Sequence, residues 1–494
     1  MKPSIKPAAL LGAAALLSAC SMAPTYERPA APVAATFPSD SAGAGARTSV
    51  PVPLPANARS AVDTGWRDYF TDARLQQLIG TALENNRDLR TAALRIEEAR
   101  AQYNVQSADL LPNLNASAGV TRAKTPAFLS SSGQSTIGKR YDVGISVSSF
   151  ELDFFGRVKS LNDAALASYL ATEEARQAAQ IALVAQVAQA YYTERAYAEQ
   201  YTLAQQTYEA RARTYNLTQQ RAEAGASSRL DLRSNETLME TARASALTLA
   251  RQRAQAENAL TLLVGQQLNG TSGGGGPAST TTAPMTAAGG MPNDQQLDTL
   301  SALPAGLPSE LLMRRPDIRA AEQRLKAANA NIGAARAAFF PRIGLTAAVG
   351  SSSPALHGLF DSGSGSWSFA PQLTLPIFDA GRNSANLTLS EVRKNIAVAD
   401  YEKTIQTAFR EVADALAARD YLGEQVNAQR AVQDAQADRL RLLQLRFDNG
   451  VASSLDVLDA QRELFSAQQS LVQARLLRTT TAIDLYRTLG GGVK

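Results

Sequence analysis

The chain has 494 residues, of which 45% are hydrophobic but only 6% aromatic, with a formal net charge of +4, one cysteine and one histidine. A single cysteine excludes a disulfide framework within the chain, and with a single histidine beside it no zinc cluster can be assembled. The charge has no long run of one sign and falls close to neutral without Lys2 and Lys6. There is no electrostatic case for nucleic acid.

Residues 1–19 are expected to be a signal peptide, with Lys2 and Lys6 as the positive start and Ala8 to Leu17 as an apolar run too short to span a membrane permanently. Leu17-Ser-Ala-Cys20 resembles the lipobox of bacterial lipoproteins. That resemblance implies cleavage before Cys20 and lipid attachment there, and Ser21, which is not acidic, implies sorting to the outer membrane. Residues 20–62, rich in Pro, Ala, Ser and Gly, have the composition of a tether unable to bury a core. Residues 66–111 then read as helix, with a break expected at Asn85-Asn86 and an apolar face of Leu75, Leu78, Ile79, Ala82 and Leu83. Pro112 is expected to stop it.

From 113 to 152 the period changes to two. Leu114, Ala116, Ala118 and Val120 alternate with small polar residues, and Tyr141, Val143, Ile145 and Val147 do the same. The pattern returns over 342–378, in Ile343, Leu345, Ala347 and Val349, then Trp367, Phe369, Leu373, Leu375 and Ile377. These segments predict two hairpins of strands about ten residues long, the length that a tilted membrane-spanning strand needs.

Residues 157–222 contain neither Gly nor Pro and predict one helix about 100 Å long. Its partner, 382–447, carries a 4-3-4 apolar seam of Ile405, Phe409, Val412 and Leu416. A turn follows each. The first has Gly225, Ser228 and Asp231; the second has Gly450, Ser453 and Asp456. The glycines suit a left-handed helix end, and each serine with the aspartate three residues on makes a capping-box pattern. Shorter helices, 228–264 and 453–489, come next.

The whole arrangement occurs twice. Gly156, Gly225 and Gly265 recur 225 residues later as Gly381, Gly450 and Gly490, while Pro112 recurs 229 later as Pro341. The chain is therefore read as repeat 1 (63–265), an irregular connector (266–308), repeat 2 (309–490) and a short tail (491–494), with the four-residue difference expected in a hairpin loop. The fold class expected is mainly α with a transmembrane β-barrel. Four strands cannot close alone, and lipid does not tolerate open edges, so chains must associate. Two would make a barrel filled by its own side chains; three make a twelve-stranded one with room for water.

Several motifs then carry a resemblance. They are the Cys20 lipobox, Leu83-Glu-Asn-Asn-Arg-Asp-Leu89, Glu151-Leu-Asp-Phe-Phe-Gly-Arg157, Leu312-Met-Arg-Arg-Pro-Asp-Ile318, Ile332-Gly-Ala-Ala-Arg-Ala-Ala-Phe-Phe-Pro341 and Leu458-Asp-Ala-Gln-Arg462. By these the chain resembles the TolC family of outer-membrane efflux ducts, in its OprM-like lipoprotein branch, over essentially the full mature length. The resemblance implies a homotrimer with an α-helical periplasmic tunnel and a passive role in multidrug efflux, hence in antibiotic resistance. The partners it implies are a periplasmic adaptor (membrane fusion) protein, an inner-membrane RND pump and outer-membrane lipid. No cofactor, metal or nucleic acid is implied. The two tip turns would dock the adaptor. Carried over residue by residue, the periplasmic gate falls on Leu455, Asp459 and Arg462, which step by 4 and 3 along one helix face. The repeat-1 equivalents are Leu230, Ser234 and Thr237, so the charged pair is confined to repeat 2. Type I protein export through the same kind of duct, and a coiled-coil spacer lipoprotein, are the alternatives. An enzyme is not expected, since His357 sits in a Ser/Gly-rich loop and no catalytic set surrounds it.

Overall fold

The computed structural model describes residues 22–34, 37, 61–131, 133–267, 300, 303 and 313–492. The expected signal peptide, Cys20 and almost all of the 266–308 connector lie outside the described residues. In chain order the elements are α1 (Trp66–Tyr69), α2 (Ala73–Asn85), α3 (Arg87–Ala108), β1 (Leu114–Thr125), β2 (Thr136–Leu152), α4 (Arg157–Glu223) and α5 (Arg229–Val264). Repeat 2 follows with α6 (Pro316–Ala337), β3 (Arg342–Ser353), β4 (Gly365–Thr374), α7 (Arg382–Asp448) and α8 (Ser454–Thr488). Packing divides the chain into one unit of residues 1–31, 94–174 and 320–403, and a second of 32–93, 175–319 and 404–494.

The first unit contains one antiparallel sheet in the order β1-β2-β3-β4, so the two hairpins join through β2 and β3. Its register gathers the alternating residues on one face. Ala116 lies opposite Ile145, Ile145 opposite Val349 and Val349 opposite Trp367. Most of this face is open to the surroundings: Ile145 is 52% exposed, Val349 63% and Trp367 80%. The other face carries Asn115, Ser117, Thr121, Arg140, Ser146, Ser366, Ser368 and Gln372. A sheet apolar on its outside and polar on its inside matches lipid around a lumen, not a soluble core.

The strand β2 is 17 residues long, well beyond the ten expected, and a bulge explains how. Pairing with β3 shifts between Val147 and Phe150, and Ser149 takes a positive φ of 59°. The extra residue reverses the parity of the strand. Had these residues run straight through, Glu151 would turn to the apolar face; the bulge lets Phe150 pair with Leu345 and Leu152 with Ile343, and the apolar face continues. β4 ends instead at Thr374, the residue equivalent to Ser149, so Leu375 and Ile377 fall outside the strand where the alternation placed them. Pro376, at the place of Glu151, lacks the N–H that a ladder needs. The four-residue difference between the repeats also differs from expectation. The segments between strands, 126–135 and 354–364, are nearly equal; three of the extra residues extend the outer end of β2 and the fourth is taken up by its bulge.

Below the sheet, α4 and α6 approach closely through Ala164, Ala167, Ala327 and Ala330. The expected tether is not wholly loose. Asn329 donates to the Pro24 carbonyl at 2.7 Å, and Glu322 accepts from Arg28 at 2.8 Å and from the Tyr26 hydroxyl at 3.2 Å. Burial pushes the Glu322 carboxyl up, but Arg28 and Lys326 more than offset this and hold it below its usual range. A Cβ on Gly333 would lie 2.7 Å from the Ala23 nitrogen. The segment is held by point contacts, which is why its composition, poor in core formers, hid the docking.

In the second unit α4 buries Val184, Val187 and Tyr191, and α7 buries Ile405, Val412 and Leu416, the predicted seam. Phe409 is stacked on Phe37 at 5.0 Å, so this part of the expected tether is also docked. Asp72 caps α2 through two backbone amides, and its other oxygen accepts from Tyr191 at 2.8 Å. Burial is the main reason why the Tyr191 phenol is pushed up to about 12. The helix expected over 66–111 is divided: it breaks at Asn86 and ends at Ala108, four residues before Pro112.

That break has a purpose which the repeat makes visible. Asn86 caps α3 through Leu89 and donates to the Leu263 carbonyl at the end of α5 at 2.8 Å. Arg315, its equivalent at the offset of 229, donates to the Thr488 carbonyl at the end of α8 at 3.2 Å. Each side chain thus satisfies a helix-end carbonyl left without an intrahelical partner. Gly265 fits against the Asn85 carbonyl with no room for a Cβ, which would come within 2.4 Å.

Candidate functional site

The two tip turns are built by backbone rules. Gly225 and Gly450 both have φ of 72°, the left-handed region. In each, the residue after the glycine bonds back to the arginine five before it: Ala226 to Arg221 at 2.7 Å and Val451 to Arg446 at 2.8 Å. The glycine itself bonds to Ala222 or Phe447. This pair of bonds is the Schellman ending of α4 and α7. The chain then restarts at Ser228 or Ser453, whose hydroxyl accepts from the Asp231 or Asp456 amide.

The caps differ in one respect. Around Ser453 the box is complete, because the Asp456 carboxylate also accepts from the Ser453 amide at 3.0 Å. The Ser453 hydroxyl, and after it that amide, holds the Asp456 carboxyl below its usual range. At the first tip the Asp231 side chain engages the Ser228 hydroxyl. The first tip has only the amide-to-serine half of the expected box.

One turn further along α8 lie Leu455, Asp459 and Arg462. Asp459 accepts from Arg462 at 2.6 Å on its own helix and from Arg439 of α7 at 3.3 Å. Arg462 also reaches Glu463 at 3.1 Å. The fold therefore brings Asp459 and Arg462 into direct contact and places Leu455 beside them, 70% exposed. Two participants, Arg439 and Glu463, were not among the residues expected. Arg439 had a signal: it and Asp459 are equidistant from Asn449 in the turn, and an antiparallel helix hairpin brings such residues together. On α4, the buried Arg211 donates to the Leu238 carbonyl at 3.0 Å. Burial, and then the charge of Arg462, holds its guanidinium below the usual range. An open groove of about 550 Å³ runs along α7 and α8 close to this cluster, lined by Ala437, Leu440, Arg441, Gln444, Leu445 and Gln461.

At the sheet the site is an edge. β1 and β4 each pair on one side only, leaving a row of backbone groups without a ladder partner within the chain. Among the described residues no helix is long and apolar enough to cross a membrane.

Long capped helix hairpins together with an amphipathic, open-edged antiparallel sheet define the class: an outer-membrane-type strand sheet combined with long helices. The chain belongs to the outer membrane efflux protein family, whose description matches residues 78–266 and 307–491. It is 48% identical to outer membrane protein OprJ of Pseudomonas aeruginosa, over 99% of this chain and 96% of that one. It is 47% identical to the probable efflux pump outer membrane protein TtgC of Pseudomonas putida, over 97% of this chain and 93% of that one. Among solved structures, the open state of the MtrE outer membrane channel of Neisseria gonorrhoeae superposes with a TM-score of 0.80. The two are 42% identical, with 96% of this chain and 99% of that one covered.

Proposed function

We propose that this chain is the passive outer-membrane exit duct of a tripartite multidrug efflux system. It takes substrates from a periplasmic adaptor and an inner-membrane RND pump and releases them outside the cell. The observation that carries the reading is the sheet. It has one lipid-compatible face, one polar face and two unpaired edges, and in lipid those edges must be paired. Three copies pair each β4 with the next β1 and give twelve strands around a polar lumen. Energy comes from the pump. The lipid on Cys20 assists targeting while the barrel holds the protein in the bilayer.

The tips around Gly225, Ser228, Asp231, Gly450, Ser453 and Asp456 dock the adaptor, and the groove beside Gln444 and Gln461 is a ready place for a partner helix. Leu455, Asp459 and Arg462 form the periplasmic gate. With three copies around an axis, like carboxylates would repel, and the Arg462 and Arg439 guanidinium groups offset that. Exposed pairs of this kind contribute about 0.2–1 kcal/mol each, weak enough for partner binding to shift the population towards the open state.

Mass measurement in mild detergent is expected to give three chains per particle. A monodisperse monomer that retains its strand signal would sink the barrel. In a planar bilayer, Asp459→Ala with Arg462→Ala is expected to raise ion conductance, and Leu455→Ala to raise it further. Unchanged conductance in the triple variant, with insertion verified, would place the closing contacts elsewhere.

A further inference from the structure

Three cations of the first hairpin stand on its lipid-facing side. Arg122, Lys124 and Lys139 share the parity of Leu114, Val120, Tyr141 and Ile145, because Val120 pairs with Tyr141 and Arg122 lies directly opposite Lys139. Like charges opposite one another on one face of an antiparallel pair are destabilising. Among the described residues no carboxylate relieves them. The segment Thr121–Tyr141 contains no acidic residue at all, and among the described residues none of the three cations makes an ion pair. The neighbouring Arg140 points to the opposite face and is paired with Asp142 at 2.7 Å.

Their height on the strand is equally specific. The apolar face of β2 runs from Tyr141 to Leu152, about 36 Å along the strand and about 28 Å tall at a tilt near 40°, close to the apolar band of a transmembrane barrel. Tyr141 and Trp367 mark its outer boundary, and Arg122 and Lys139 lie one residue pair beyond it. The repeat shows that packing does not require charge here. The pair equivalent to Arg122 and Lys139 is Ser351 opposite Gly365.

We infer that Arg122, Lys124 and Lys139 form a binding site for the phosphorylated headgroups of outer-leaflet glycolipid. The inference rests on the outer-membrane barrel proposed above and adds a lipid partner at its outer rim. A phosphate between Arg122 and Lys139 turns their repulsion into two charge-assisted hydrogen bonds. Acyl chains of the same molecule then lie against Val120, Tyr141 and Val143, so that one ligand satisfies both the charge and the apolar band.

The test uses the purified full-length oligomer and two probes, bisphosphorylated lipid A and its monophosphoryl form, with retention through detergent exchange read by native mass spectrometry. The variant Arg122→Gln, Lys124→Gln, Lys139→Gln is expected to weaken retention of bisphosphorylated lipid A by about tenfold or more, from the loss of charge-assisted contacts. The preference over the monophosphoryl form should shrink with it. Arg140→Gln, on the lumen face of the same hairpin, should change neither. Equal retention by the wild type and the triple variant overturns the site, as does an equal loss in Arg140→Gln. Oligomer mass and bilayer insertion are measured on the same samples. A wild type that fails to insert overturns the barrel reading, whereas insertion with unchanged lipid A binding overturns only this one.

Discussion

The two tips have the same backbone and different chemistry. Gly225 and Gly450 share a φ of 72° and the same pair of back-bonds, and Ser228 and Ser453 cap the next helix alike. Eight to thirteen residues from the turn the likeness ends. Where repeat 2 has Arg439, Asp459, Arg462 and Glu463 in contact, repeat 1 has Thr214, Ser234, Thr237 and Leu238. Thr214 and Thr237 spend their hydroxyls on the carbonyls four residues back in their own helices. Duplication has kept the positions that the backbone dictates and let the exposed ones beyond them diverge. The helix junctions repeat the lesson: Asn86 does with a neutral amide what Arg315 does with a charge held by Asp317 and Glu411.

That junction gives the largest effect. Arg315→Ala leaves two carboxylates without their buried partner and should cost about 3–5 kcal/mol. Asn86→Ala loses one cap and one carbonyl partner, about 1–3 kcal/mol. Denaturation midpoints of the two purified variants check this, and equal losses would erase the distinction drawn between the repeats. Next come the turns. Gly225→Val and Gly450→Val face the same dihedral angle with open space around the Cβ, so each should cost about 1–2 kcal/mol of local strain. Their melting shifts should agree within error, while drug susceptibility of cells carrying Gly450→Val at equal abundance should rise. Normal efflux in that variant would count against docking at the second tip.

Smaller in stability but sharper in readout is the control for the gate. Ser234→Ala with Thr237→Ala should leave bilayer conductance at the wild-type level, in contrast to the Asp459 and Arg462 pair. A similar rise would mean that either tip can open the duct. The smallest effect is a titration. The Asp456 carboxyl lies below its usual range, so its cap contribution is complete above about pH 3.9 and lost as pH falls through the lower folded value. Amide exchange at Ser453 should accelerate over that acidic window and be pH-independent there, apart from intrinsic chemistry, in Asp456→Asn.

Much of this was legible in the sequence because it is written in residue types with few alternatives. Gly156, Gly225 and Gly265 and their copies each mark a positive φ, which glycine adopts at little cost, so the repeat could be read from glycines alone. The four strands were legible from parity. What was lost depended on partners distant in sequence. Arg439 is an ordinary surface arginine until the hairpin folds it against Asp459. Glu322 gives no sign that it will hold Arg28, nearly three hundred residues away. The length of β2 was hidden because Ser148-Ser149 ends the alternation just where a bulge allows it to resume one residue out of phase.

That bulge makes length in this sheet a quantity that changes only in steps. A single residue added or removed between Tyr141 and Val147 would turn the side chains on one side of the change inside out, whereas deletion of one serine at 148–149 would only remove the bulge and leave Phe150 opposite Leu345 and Glu151 on the polar face. Gains and losses within a strand must therefore come in twos unless a bulge takes up the odd residue, while the segments between strands are free of the restriction. A deletion series within residues 141–147 should accordingly alternate, with even-numbered losses inserting into membranes and odd-numbered ones failing.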